Sequence, residues 1–306
     1  MSSILTNASA MTALQTLTMT NKNLAQTQSR IATGMKVAEA SDNAAYWSIA
    51  TTMRSDNKAN SVVLDGLGLG AGKVDTAYTA IKDSIDVVDQ IKQQVLSAKT
   101  ASPADRAKIQ DAIKAYQAHL SDSVGNASYA GSNLLETDPA GAANLSIVSS
   151  YNRDAAGVVT TGEIAVSLTN IRLLDSTGGN TGILDTLWTG ATNAAVQGMN
   201  VLNLDVTDAT LDDAAFDELL TGIETVAKGL ATGASELGAA KTRIDLQSNF
   251  IKSLSDAMDR GVGQLVDADM NEESTRLQAL QVQQQLGIQA LSIANSNTQQ
   301  ILSLFR

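Results

Sequence analysis

The sequence contains no cysteine and only two prolines among its 306 residues. The absence of cysteine excludes disulfide frameworks, zinc–thiolate sites and thiol nucleophiles. Aromatic residues make up only 3% of the chain, whereas 43% of its residues are hydrophobic. Because aromatic side chains normally bring the largest buried areas to a globular core, this composition of Ala, Leu, Ile and Val favours long helices packed side by side.

Residues that carry catalysis or bind metals are also scarce. His119 is the single histidine, so no multi-histidine metal site can be built, and a lone histidine on a helix is typical of a surface or packing residue. Glycines 66–72 precede Lys73, but the spacing of a phosphate-binding loop is not met. The acidic residues between 267 and 273 lack EF-hand spacing and fit helix capping instead. We therefore expect no enzymatic activity, no cofactor and no metal.

The net charge of −11 disfavours nucleic acid and anionic membranes as partners. No charged residue precedes Lys22, and none lies between residues 277 and 305, so two uncharged ends flank an acidic body. No run approaches the roughly 20 apolar residues of a membrane span, and we expect no membrane insertion. The first residues lack a basic start followed by an apolar core, and we expect no cleaved signal peptide.

Apolar residues near the N-terminus recur every seven positions, which predicts a helix that faces a partner helix. A second run, from Leu64 to Val88, alternates steps of three and four and crosses four glycines without losing phase. Four glycines cost roughly 3–4 kcal/mol relative to alanine, so tertiary contacts must hold this helix, with a neighbour close to its small face. The N-terminal series is Ala10, Leu17, Leu24 and Ile31, interleaved with Leu14, Asn21, Gln28 and Met35.

The middle of the chain changes from helical to strand-like patterns. Ser102 followed by Pro103 predicts the start of a helix that runs to about Ser123. Between residues 145 and 206, turn-forming residues separate short alternating runs, which predicts strands and hairpins. The alternating runs are Ile164, Val166 and Leu168, and then Leu202, Leu204 and Val206.

The strongest periodicity lies in the C-terminal part, where eight apolar residues follow one another at intervals of seven. Asp269 and Glu272 then predict a capping box that opens a last helix. That helix carries apolar residues on two faces, and a single intramolecular partner cannot cover both, which indicates self-assembly. The eight residues are Phe216, Ile223, Leu230, Leu237, Ile244, Ile251, Met258 and Leu265.

Each end of the chain carries a distinct block of sequence motifs. The N-terminal block contains ILTNASA at residues 4–10, SRIATG at 29–34 and ASDNAA at 40–45. The C-terminal block contains LGIQALSIAN at 286–295 and QQILSLFR at 299–306. These two linked blocks, in the right order and at the two ends, form a specific signal, and in both the chain resembles bacterial flagellin.

The resemblance implies a mainly α fold: a long antiparallel helical bundle or coiled coil of N- and C-terminal segments, with a small β-hairpin-rich central region. Residues 1–44 with 266–306 would form an inner coiled-coil domain, the filament core. Residues 45–145 with 207–265 would form an intermediate helical bundle, and 146–206 a small outer elaboration.

The resemblance also implies the function and the partners. The chain would be an extracellular structural subunit that polymerises with itself into the flagellar filament used for swimming, with other flagellins in mixed filaments. It would be exported by the flagellar type III apparatus and would meet an export chaperone, the filament cap and hook-associated proteins.

Other readings of the sequence remain open. The nearest alternative is a hook–filament junction protein, a hook-associated protein with similar terminal helices. A secreted enzyme with coiled-coil ends would need a convergent site in the middle region, which the sequence does not offer. An adhesin role would be additional to a filament. For the filament reading we predict that seven side chains carry the assembly contacts: Leu17, Leu24, Ile31, Leu280, Leu291, Ile301 and Phe305.

Overall fold

The structure is a computed structural model that describes residues 7–154 and 156–304, the side chains of residues 297–304 excepted. The described chain falls into two compact units, the first within residues 1–57 and 256–306 and the second within 58–255. The three-part division of domains stays a prediction. The mainly α fold class is confirmed, since the helices are α1 (Ala8–Thr33), α2 (Ala44–Lys99), α3 (Pro103–Asn126), α4 (Leu168–Ile171), α5 (Asp213–Val266) and α6 (Met270–Leu304).

In the first unit, helix α1 has a polar cap at each end. The Asn7 side chain accepts a hydrogen bond from the Ala10 N–H at 3.0 Å, which satisfies one of the helix's free donors. Gly34 ends the helix with φ +70°, a conformation that glycine adopts without strain. The chain beyond the glycine is then fixed to the junction of α5 and α6, where the Lys36 N–H donates to the Val266 carbonyl at 2.7 Å.

A small apolar cluster fills this junction of the first unit. Val37, Ala50, Val262 and Val266 are buried there. The last two residues of the predicted seven-residue series of α5, Met258 and Leu265, are only half-buried here. The buried residues of α5 in this unit are instead Val262 and Val266.

The second unit holds the large core, formed by α2, α3, α5 and a hairpin. The six members of the α5 series from Phe216 to Ile251 are buried in it, so this part of the heptad prediction is confirmed. Three ion pairs join α2 to α5, and because their residue numbers sum to the same value, the helices run antiparallel in one register. The pairs are Lys92–Glu224 at 2.6 Å, Lys99–Asp217 at 2.5 Å and Asp75–Lys241 at 2.7 Å.

The glycines of α2 lie inside a continuous helix, as predicted, and two of them are closely approached. A Cβ placed on Gly70 would lie 2.6 Å from Ile147 Cδ1, and one on Gly72 would lie 2.6 Å from Tyr129 Cζ. A Cβ placed on Gly66 or Gly68 would meet no described atom within 4 Å. Among these four glycines, described residues closely approach only Gly70 and Gly72.

Helix α3 begins as predicted and supports the same core. The Ser102 side chain accepts from the Asp105 N–H at 3.3 Å, and Pro103 occupies the first turn. The helix continues three residues beyond the expected end, to Asn126.

The predicted hairpin of the central region is present. Strands β4 (Asn144–Arg153) and β5 (Val159–Ser167) pair antiparallel, with a bulge between Val148 and Ser150. Two short pairs accompany them: β1 (Ser128–Tyr129) with β2 (Ser132–Asn133), antiparallel, and β3 (Glu136–Thr137) with β6 (Leu174–Asp175), parallel.

The predicted strand of Leu202, Leu204 and Val206 is wrong. This segment consists of turns and irregular backbone, although Leu204 and Val206 are buried. The side chain of Gln110 takes the place of a neighbouring strand, since its amide donates to the Leu204 carbonyl and accepts from the Val206 N–H, both at 2.9 Å. The alternating apolar pattern of this segment therefore reflects packing against helix α3 and not pairing with a neighbouring strand.

Candidate assembly surface

Helices α1 and α6 pack against each other along an alternating row of buried and half-buried residues, which we call the seam. The steps of three and four residues on both helices are those of a coiled coil. Small side chains are frequent in it, and Gly287 would place a Cβ 3.8 Å from Leu17 Cβ. The seam comprises Ala10, Ala13, Leu17, Thr20, Leu24, Thr27 and Ile31 on α1, with Glu273, Leu277, Leu280, Gln284, Gly287, Leu291 and Ala294 on α6.

The interleaved series proposed for α1 is wrong. Leu14, Asn21 and Gln28 are exposed, and the second row of the seam lies one residue earlier, with Thr20 and Thr27 buried in it. The hydroxyl of Thr20 donates to the Thr16 carbonyl at 2.9 Å, so it can be buried without an unpaired donor.

Polar contacts at three levels hold the two helices in antiparallel register. The Asn7 amide donates to the Ala294 carbonyl at 2.9 Å, and the Gln284 amide donates to Asn21 Oδ1 at 2.7 Å. The third contact, between Arg30 and Glu273, lies at the opposite end of the seam from Asn7.

The charges of the helix pair are concentrated at that end. Glu273 is only 5% exposed, and its Oε1 lies 3.2 Å from Arg30 Nη1 and 3.3 Å from Arg276 Nη1. Asp269 caps α6 as predicted, by accepting from the Asn271 and Glu272 N–H groups. The side chain of Glu272 does not complete the predicted box and instead lies 2.7 Å from Arg276 Nη2.

Beyond that end the pair carries one charged side chain, Lys22 of α1, and its outward side carries large apolar side chains that no other part of the described chain covers. Their exposed fractions lie between 54% and 62%. Solvent-exposed apolar groups arranged in this way mark interaction sites. We call this set the outer apolar face: Met11, Leu14 and Met19 on α1, with Val282, Leu286, Ile288 and Ile293 on α6.

The structure places the predicted assembly residues mainly in the seam. Leu17, Leu24, Ile31, Leu280 and Leu291 are buried or half-buried between α1 and α6 of the same chain. The side chain of Ile301 and residue Phe305 lie outside the described part of the structure. The assignment of these seven residues as contacts between subunits stays a prediction.

Sequence reasoning found part of the outer apolar face. Leu286 and Ile293 formed the second apolar register of the last helix, and both are exposed. Met11, Met19 and Val282 were missed because isolated apolar residues among polar ones carry no periodicity. The signal that marks them is the scarcity of charge around them, with Lys22 near Met19 as the exception. An exposed helix face in water normally carries charged residues.

Other candidate sites behave as packing or surface residues. The ring of Trp188 packs on Gly222 of α5, and His119 lies exposed with its Nδ1 3.6 Å from Asp83 Oδ2. Within the described residues, no group of three or more His, Cys, Asp or Glu side chains could hold a metal ion. No described helix is both long and apolar enough to cross a membrane.

These features define a mainly helical structural subunit whose terminal helices pair and expose an apolar surface with little charge. Residues 4–138 match the model of the bacterial flagellin N-terminal helical region, and residues 220–305 match that of the C-terminal helical region. The chain is 51% identical to a flagellin of Brucella melitensis over the full length of both proteins. It is 43% identical to flagellin C and 40% identical to flagellin A of Rhizobium meliloti, again over the whole of each chain.

The chain therefore belongs to the bacterial flagellin family. Its function is that of a structural subunit of the flagellar filament that serves motility. The alternative of a hook–filament junction protein has no support, since the relatives that cover the chain from end to end are flagellins.

Proposed function

We propose that the chain polymerises through the outer apolar face, which neighbouring copies cover in the filament. The observation that carries this proposal is the set of exposed apolar side chains on two helices whose charge, apart from Lys22, is confined to the Arg30–Glu273 end. Seven side chains that are more than half exposed leave an unusually apolar helix pair in water. Burying each of them is worth about 1.5–3 kcal/mol.

The seam has a separate role in this proposal. Leu17, Leu24, Ile31, Leu280 and Leu291 hold α1 and α6 together and so present the outer apolar face in one geometry. Ile301 and Phe305 remain predicted assembly contacts, and the Ile301 side chain and Phe305 lie outside the described part of the structure. The seven residues predicted from the sequence thus serve assembly, five of them by supporting the helix pair.

A charge-insertion experiment tests the role of the outer apolar face. The variant Leu286→Lys/Ile293→Lys places two ammonium groups in a surface that assembly would bury, and each unpaired buried charge costs several kcal/mol. The matched control is Ser274→Lys, at an exposed position in the charged end of the same helix. We expect the control to form helical tubes under electron microscopy and the double variant to stay monomeric. Normal tubes from the double variant would refute the proposal.

A deletion tests the helix pair as a whole. Removing residues 287–306 takes away the last part of α6 together with part of the outer apolar face. We expect a soluble chain that does not polymerise. If the truncated chain builds normal filaments, α6 has no part in assembly beyond residue 286.

The family membership also supports the remaining biology of the proposal. We propose export without signal cleavage, an extracellular location in the flagellum, and contacts with an export chaperone, the filament cap and hook-associated proteins, and the family membership supports each of these proposals. The chain has no enzymatic role in this proposal. Flagellins A, B, C and D all occur in Rhizobium meliloti, which is consistent with mixed filaments in bacteria of this kind.

A further inference from the structure

Two methionines occupy the part of the outer apolar face that belongs to α1. Met11 is 61% exposed and Met19 is 58% exposed, and they lie two helical turns apart. Met270 is the next most exposed, at 44%, and it lies at the charged end of α6. The other methionines of the described residues are half-buried: Met35, Met53, Met199 and Met258.

The thioether of an exposed methionine can be oxidised to a sulfoxide. A peroxide transfers one oxygen atom to the thioether sulfur as its O–O bond breaks, the sulfur loses two electrons, and the second oxygen leaves as water. The product is a sulfoxide, a polar and strongly accepting group in place of an apolar one. Such a change disrupts interfaces that methionine helps to form.

Helix α1 offers little to satisfy a sulfoxide there. The neighbouring hydroxyls of Thr12, Thr16 and Thr18 already donate to backbone carbonyls of the preceding turn, at 3.0, 2.9 and 2.8 Å. The charged side chain that lines the same surface is Lys22, three residues after Met19 and eleven after Met11. A sulfoxide at Met11 would therefore enter the subunit interface without a charged partner from its own helix.

We propose that Met11 and Met19 form an oxidation site at which sulfoxide formation blocks polymerisation of the free subunit. The inference rests on the proposed function, because it needs the outer apolar face to be buried in the filament. Enzymatic reduction of the sulfoxides by a dithiol, which becomes a disulfide as the oxygen leaves as water, would restore assembly. The class of reactant is a peroxide or a hypohalous acid, and the modified state is the unassembled chain.

The experiment uses the full chain, oxidised with hydrogen peroxide until about half of the accessible methionines carry oxygen, desalted and then induced to assemble. Mass spectrometry of peptides compares the filament pellet with the supernatant. We expect the pellet to be depleted in Met11 and Met19 sulfoxides by about tenfold, the cost of burying one poorly paired polar group. Equal amounts of these sulfoxides in pellet and supernatant would overturn the proposal.

Variants provide a second readout. Met11→Leu/Met19→Leu keeps the apolar surface, and we expect it to assemble after exhaustive oxidation, whereas Met270→Leu should lose assembly as the unchanged chain does. Equal sensitivity of the two variants would overturn the proposal. The charge variant Leu286→Lys/Ile293→Lys separates the two ideas. If that variant polymerises, the proposed function fails, but if it stays monomeric while fully oxidised chain assembles normally, only the oxidation site fails.

Discussion

The close approach of β4 and β1 to helix α2 makes opposite predictions for two glycines only two residues apart. At Gly68 a methyl group would meet nothing within 4 Å. Alanine there should stabilise the second unit by about 0.5–1 kcal/mol, the helix-propensity gain over glycine. At Gly70 the same methyl group would lie 2.6, 2.8 and 3.0 Å from three carbons of Ile147.

The cost at Gly70 can be worked out from this geometry. Ile147 is itself buried, and because both branches of its side chain meet the new methyl group, no rotation of one branch relieves the clash. Overpacking of this kind costs about 1–3 kcal/mol. Subtracting a propensity gain of about 1 kcal/mol leaves Gly70→Ala neutral to about 2 kcal/mol destabilising.

Chemical denaturation of the monomer, followed by far-ultraviolet circular dichroism, measures both variants under the same conditions. The difference between them isolates the packing contribution, since both positions lie in the interior of one helix. We expect Gly68→Ala to raise the denaturant midpoint and Gly70→Ala not to raise it. Equal stabilisation at both positions would show that β4 does not contact α2 as described.

Two further predictions concern the second unit. Gln110→Leu should destabilise it by about 1–3 kcal/mol for the Val206 N–H left unpaired, since the Leu204 carbonyl still accepts from the Gln117 amide at 3.0 Å. Gln93→Leu on the exposed side of α2 should change little in the same denaturation assay. The hydroxyl of Thr177, with further hydrogen bonds, lowers the pKa of Asp175 from 3.8 to about 2. The stability that this carboxylate contributes is therefore present above about pH 4 and is lost as the pH falls towards 2. The difference in unfolding free energy between the unchanged chain and Asp175→Asn should shrink over that interval. A constant difference from pH 5 to 2 would contradict this prediction.

The long helices could be predicted from the sequence because one face of each is buried at fixed spacing. The α5 series from Phe216 to Ile251 needs no knowledge of its partner, since any partner on that side buries the same residues. The glycines of α2 were informative for a related reason: a helix that keeps its phase across them must be held by tertiary contacts. Which glycine receives which neighbour depends on the hairpin, and local sequence does not encode that contact.

The errors have physical causes of the same kind. Leu202, Leu204 and Val206 alternate with polar residues as a strand would, but the partner is a glutamine side chain from a helix distant in sequence. On α1, the row that begins at Leu14, four residues after Ala10, and the row that begins at Ala13, three residues after it, both fit a heptad pattern. The row with Thr20 and Thr27 is the one buried, because small side chains there allow the two helices to approach each other. This requirement comes from the partner helix α6 and not from α1.

The assembly residues show the limit most clearly, because buried and exposed apolar residues alternate within single turns of α1. Leu17 lies in the seam, whereas Leu14, three residues earlier, lies on the outer apolar face. Hydrophobicity cannot distinguish a residue covered by its own chain from one covered by a neighbour. Only the position of α6 separates the two.

Because the chain has no cysteine, an engineered pair can test that separation in the filament itself. The Cβ–Cβ distance of 3.8 Å between Leu17 and a side chain at Gly287 equals the mean for a disulfide. We expect Leu17→Cys/Gly287→Cys to form a bond within one chain, which would close a loop of about 270 residues and contribute up to about 5 kcal/mol to the helix pair.

The control Leu14→Cys/Gly287→Cys moves one cysteine to the outer apolar face, where the native side chain is 54% exposed, and we expect it not to bond to α6 of the same chain. Non-reducing electrophoresis of oxidised filaments reads the result: single-chain bands for the Leu17 pair, and no such bond for the control. A ladder of covalent multimers from the Leu17 pair would mean that α1 pairs with the α6 of a neighbouring subunit. The seam would then itself be the subunit interface, and the seven residues predicted from the sequence would contact the neighbour directly.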